Sequence, residues 1–138
     1  MRRFLAVAGL LAATACASWF HGTIRTSRAT FDPSRWEQVW FAALRELQVR
    51  GFVIAVADRT AGAIATETMV GKERVPCGFV TCLHRDAVEV VIAPDGSATV
   101  RLNREILAGG WTPPSRWNTE TIAGIEAEQD AIARAMTQ

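Results

Sequence analysis

The segment from residue 86 to residue 103 constrains the fold more than any other. Val88, Val90 and Ile92 alternate with Glu89, Val91 and Ala93, and Ala98, Val100 and Leu102 alternate with Thr99, Arg101 and Asn103. Between the two runs stands Pro94-Asp95-Gly96-Ser97. Proline presets one turn dihedral and glycine accepts a positive one. The segment is expected to form an antiparallel hairpin with one apolar face. That face must be shielded from water, so the chain has to supply helices to cover it.

Two segments carry the required period. Trp36, Val39, Trp40, Ala43, Leu44 and Leu47 recur at steps of three and four, which places them on one helical face. Asp32 or Ser34 can cap this helix, Pro33 suits its first turn, and Gly51 stops it. Trp36 and Trp40 lie one turn apart and are expected to pack in the core rather than to form an exposed binding surface. Near the C-terminus, Ile122, Ile125, Gln129, Ile132 and Met136 repeat the pattern, with Asn118 or Thr119 as cap. Glu120, Glu126, Glu128 and Asp130 are expected to solvate the other side of that helix.

A second hairpin is expected from Phe52-Val53-Ile54-Ala55-Val56, a turn over 58–62, and a strand over 63–70. Residues 71–78 read as a polar loop, and residues 107–117 as an aromatic one. The expected architecture is α+β: an antiparallel four-stranded sheet, built of two hairpins, with one face covered by an N-terminal and a C-terminal helix.

The N-terminus has a different character. Met1-Arg2-Arg3 precedes an apolar run from Phe4 to Ala13, then Thr14-Ala15-Cys16. A positive start, an apolar run and small residues are the parts of an export signal. The run is too short to span a bilayer core, which takes roughly 20 apolar residues. The segment resembles a bacterial lipoprotein signal peptide, with Ala15 and Ala13 one and three places before Cys16. Ala13 stands where leucine is usual, and cleavage as a simple secretory signal at Ala15 or Ala17 is the alternative. The resemblance implies that Cys16 becomes a lipidated N-terminus, and more than one acyl chain gives stable membrane anchoring. Ala17 follows it, not the aspartate of inner-membrane retention, so the resemblance implies the outer membrane, facing the periplasm.

On this reading residues 1–15 are the signal, 16–32 a tether and 33–138 a single domain. Trp19 and Phe20 beside the anchor suit either the membrane interface or the domain surface. Without Arg2 and Arg3 the formal charge falls from +1 to −1. A near-neutral domain offers nucleic acid no electrostatic footprint.

Lipidation of Cys16 leaves Cys77 and Cys82. A pair in an exported protein reads as a disulfide, and closing so small a ring is worth about 2 kcal/mol. Free thiols, or a redox or metal site with His84, are the alternatives; zinc normally takes four such ligands and these residues supply three. His84 and Asp86 read as a surface or strand-end pair. His21 falls in the tether. No nucleophile elbow and no phosphate-binding glycine loop is present, and no cofactor is expected. Trp111 and Trp117 are the candidate partner-binding residues, since tryptophan is enriched at binding hot spots. The alternative is that their loop folds over a groove between helices and sheet.

With the signal, the order of helix, two strands, two strands and helix resembles small envelope lipoproteins with a helix-grip-like domain, of which the lipoprotein of the outer-membrane β-barrel assembly machinery is one. The residues that carry the pattern are Trp36 to Leu47, Gly51-Phe52-Val53-Ile54, Gly62-Ala63-Ile64-Ala65-Thr66, and Val88 to Leu102. The resemblance implies a non-enzymatic accessory or scaffold subunit of an envelope complex, presenting a sheet edge or the aromatic loop to a protein partner. The alternative is a small-ligand or cell-wall binding module that uses the helix–sheet groove.

Overall fold

The computed structural model describes residues 24–77, 79–113 and 119–138. In chain order they form strand β1 (Ser27–Thr30), a 3-10 turn (Pro33–Arg35) and helix α1 (Trp36–Val49). Strands β2 (Ile54–Asp58), β3 (Ala63–Thr66) and β4 (Met69–Val70) follow, then the short pair β5 (Val75–Pro76) and β6 (Thr81–Cys82). The long strands β7 (His84–Ile92) and β8 (Ser97–Leu107), the short β9 (Trp111–Thr112) and helix α2 (Thr119–Thr137) complete the chain.

The α+β class holds, but the main sheet has seven strands, not four, in the order β1-β8-β7-β3-β2 with β4 beside β7 and β9 beside β8. All its pairs are antiparallel. The added strands are short or polar, and alternation cannot reveal a strand of two residues. Ser27–Thr30, which falls within the expected tether, is an edge strand paired with β8 through Ser27↔Val100 and Thr30↔Ser97. The folded unit thus starts before residue 33. The strand expected over 63–70 is broken into β3 and β4, both on β7.

The central hairpin matches its sequence. Val88 pairs with Leu102, Val90 with Val100 and Ile92 with Ala98, all six buried. Gly96 takes φ 91° in the turn, and a Cβ there would stand 2.3 Å from the Phe31 carbonyl oxygen. Over this face lie Val39, Trp40, Ala43 and Leu47 of α1 and Ile125, Ile132 and Met136 of α2. Asp32 caps the turn before α1 by accepting from the Ser34 amide at 3.0 Å. Trp36 and Trp40 stack at 5.5 Å, and Trp36 Nε1 donates to the Ile92 carbonyl. Those contacts make the pair part of the core.

Polar side chains close gaps where strands stop short. The pairing of β1 ends at Val100, and the amide of Leu102, further along the same edge of β8, is taken by Gln129 Oε1 at 2.8 Å. Gln129 is fully buried and its Nε2 donates to the Arg25 carbonyl at 2.6 Å. On the other side of β7, Thr66 Oγ1 accepts from the Val88 amide at 2.9 Å, just past the last β3 pair.

Glu126 and Asp130 of α2 are not simply solvated. Arg25 spans Glu126 at 2.9 Å and Asp130 at 2.6 Å, and so ties the start of β1 to α2. Hydrogen bonds from Arg25, then from Ser27, pull the Asp130 pKa down to about 2. A carboxylate whose folded pKa is depressed stabilises the fold above its unfolded pKa and loses that contribution as pH falls through the folded value. Asp130→Asn is therefore expected to be less stable than the parent at pH 7, with the difference shrinking below about pH 4 and gone near pH 2. Urea unfolding across that window checks this. A difference that is constant with pH would mean the pair does not form.

Candidate functional site

The inward face of β7 and β8 is apolar from residue 88 to residue 102, then changes character. At its far end His84, Asp86 and Arg104 continue the same inward phase and are buried. The cause lies in the helices above. α1 ends at Val49, and residues 49–52 form one wall of a groove of about 660 Å³. The opposite wall is β4 with residues 71–75. His84, Asp86, Arg104 and Glu128 of α2 also line the groove and form its polar floor.

The floor is one connected network. Asp86 accepts from Arg104 through both oxygens, each at 2.8 Å, in the two-pronged geometry that suits guanidinium and carboxylate. His84 Nδ1 lies 3.0 Å from Asp86 Oδ1, and Arg104 Nη2 donates to Glu128 at 3.0 Å. Burial works against the charged guanidinium, but Asp86 and then Glu128 outweigh it, so the Arg104 pKa stays above its ordinary value. Of the two expectations for His84 and Asp86, the strand-end pair is found, since His84 opens β7, and the surface pair is corrected. They are 8 % and 3 % exposed, because the alternation of β7 points them inward.

The wall fits closely over the floor. The Gly71 amide donates to the His84 carbonyl at 2.9 Å, and a Cβ at Gly71 would stand 2.2 Å from both Cε1 and Nε2 of the ring. The ring cannot yield without leaving Asp86. Gly71→Ala is expected to cost about 1–3 kcal/mol, as overpacking does, measured by urea denaturation. A neutral result would show that His84 moves freely.

Cys77 and Cys82 lie at disulfide distance, with Cα atoms 5.9 Å apart, and cross-link the β5–β6 hairpin that follows the groove wall. Thr121 Oγ1 donates to the Pro76 carbonyl and joins that hairpin to α2. With the sulfurs so paired, the alternative of a metal site with His84 loses its thiolate ligands. Among the described residues no three His, Cys, Asp or Glu side chains are placed to hold a metal ion. At the floor, the Arg104 guanidinium occupies the place between the carboxylates that a cation would take.

Trp111 is not part of the groove. It sits on β9, with the Arg85 guanidinium 4.7 Å from its ring centroid, and Arg85 pairs with Glu105 on the outer face of the sheet. Trp117, Asn118, His21, Trp19, Phe20, Cys16 and the signal segment lie outside the described residues. Arg104, Glu128, Lys72 and Arg74 were not anticipated from sequence. Arg104 had a legible signal, since it keeps the phase of Val100 and Leu102 on β8. The other three had none, since charged residues on a helix and in a loop read as solvated. No described helix is long and apolar enough to cross a membrane. A scan against protein-family models and a search of curated proteins both find no match to the chain.

Proposed function

We propose that the protein is a non-enzymatic binding module of the cell envelope, held by lipid on Cys16 at the periplasmic face of the outer membrane, and that the helix–sheet groove is where it binds. The observation that carries this is the make-up of the groove. Phe52, Met69 and Val75 offer apolar surface above a floor of buried, mutually bonded charges. Replacing such buried ion sets by apolar residues is often neutral or stabilising, so stability alone does not account for one. Fixed polar groups that converge on a concave surface are what orient a small ligand in its site.

Catalysis is the weaker reading of the same floor. Both Asp86 oxygens are committed to Arg104, and one of them also to His84, so Asp86 orients rather than exchanges protons. No serine, threonine or cysteine is among the described residues lining the groove, so no side-chain nucleophile of those types stands beside His84 there.

The scaffold reading has its own support at the sheet edge. Among the described residues β2 pairs only with β3, and Val53 and Val56 beside and within it are 57 % and 52 % exposed. An open apolar edge is a template for a strand from another chain. Crosslinking in membranes followed by peptide mapping separates the two readings. Crosslinks concentrated on residues 53–58 would favour the scaffold, whereas a small-molecule Tm rise abolished by Val75→Arg would favour the groove. Cys16→Ser is expected to move the protein from the membrane to the soluble fraction, and unchanged fractionation would contradict the anchor.

A further inference from the structure

We infer that the groove recognises a short peptide or amino acid by its two charged ends, the ammonium at the floor and the carboxylate at the rim. This rests on the groove being the binding site. The argument is charge complementarity. At the floor Asp86 and Glu128 share the Arg104 guanidinium and Asp86 also takes His84 Nδ1, which leaves Glu128 as the carboxylate with room for a further donor. Arg104 bonds Glu128 through Oε2, and the Glu128 side chain is 32 % exposed at the groove, so it can accept from a donor entering there. On the adjoining wall, at the C-terminal end of α1, the Arg50 guanidinium is held by Glu46 at 2.7 Å.

The rim has the opposite balance. Lys72 makes no ion pair among the described residues, and Arg74 donates to the Thr81 carbonyl rather than to a carboxylate. Glu73 is the one acid between them. A fatty acid would set its tail against the charged floor, and a simple cation would leave Lys72 and Arg74 unanswered. A dipolar ligand answers both ends, and its apolar side chains fit against Phe52 and Met69. Pockets of 300 to roughly 1,000 Å³ take small ligands, and this groove, at about 660 Å³, has room for a peptide of a few residues.

The test is calorimetric titration of the purified protein with leucylleucine, N-acetylleucylleucine, leucylleucinamide and decanoate. Leucylleucine is expected to bind at least tenfold more tightly than the acetylated form and more tightly than the amide. Glu128→Gln is expected to weaken leucylleucine to the level of the acetylated form while leaving the acetylated form unchanged. Lys72→Gln is expected to erase the difference between acid and amide. Equal binding of the free and acetylated peptides overturns the inference, whether or not the variants fold. Binding of decanoate alone, lost in Val75→Arg, overturns it and leaves the groove as the binding site. Binding of none of the four overturns both.

Discussion

Replacing Arg104 with methionine is expected to destabilise the protein by about 3–5 kcal/mol, the range seen when one partner of a buried ion pair is removed. Methionine keeps much of the volume and removes the guanidinium that bonds both Asp86 and Glu128. Glu128 can turn toward solvent, since its side chain is about a third exposed, at 32 %. Asp86 cannot, because it is 3 % exposed and enclosed by β4, β7 and β8. The loss is therefore assigned mainly to Asp86. Removing both charges together, in Asp86→Leu with Arg104→Met, is expected to recover part of it, because no buried charge is left unpaired, although Glu128 must turn to solvent and the His84 ring loses its acceptor. Urea denaturation at neutral pH measures all three proteins. A loss below about 1 kcal/mol in the single variant, typical of an exposed pair, would mean that water reaches the floor freely.

Trp40→Ala is expected to cost about 3–5 kcal/mol, as truncation of a buried aromatic does. Trp40 is 4 % exposed, stacks on Trp36 and belongs to the cluster that joins α1 to the sheet. Its neighbour gives the control. Phe41 is 56 % exposed, with its ring beside the Arg59 guanidinium, and Phe41→Ala is expected to change stability by about 0.5 kcal/mol or less. Thermal and urea unfolding check both. A Trp40→Ala variant of parental stability would place that residue on a binding surface and undo the packing account of α1.

Much of the fold was legible because its large elements carry strong periods. The β7–β8 hairpin has alternation on both sides of a turn rich in proline and glycine. Both helices show apolar steps of three and four. β1 was not legible, since Ser27-Arg28-Ala29-Thr30 is short and polar and owes its pairing to β8. The two-residue strands β4, β5, β6 and β9 are below the length at which a period exists. Their placement comes from their neighbours, as Met69 opposite Asp86 shows.

The site was partly legible for the same reason. His84 and Asp86 keep the phase of Val88 and Val90, and Arg104 keeps that of Leu102, so the strands themselves turn these charges inward. What sequence could not supply was the meeting of strand and helix. Glu128 stands on the side of α2 expected to be wet, and only the packing of α2 across β8 brings it to Arg104. Gly71 was likewise one residue of a polar loop until the His84 ring was found beneath it.

The most direct measurement is the map of backbone amide shifts as leucylleucine is titrated into isotope-labelled protein. The largest changes are expected at Gly71, Lys72, His84 and Glu128, with β2 and Trp111 unmoved. Changes centred on residues 53–58 or on Trp111, or none at saturating peptide, would contradict it.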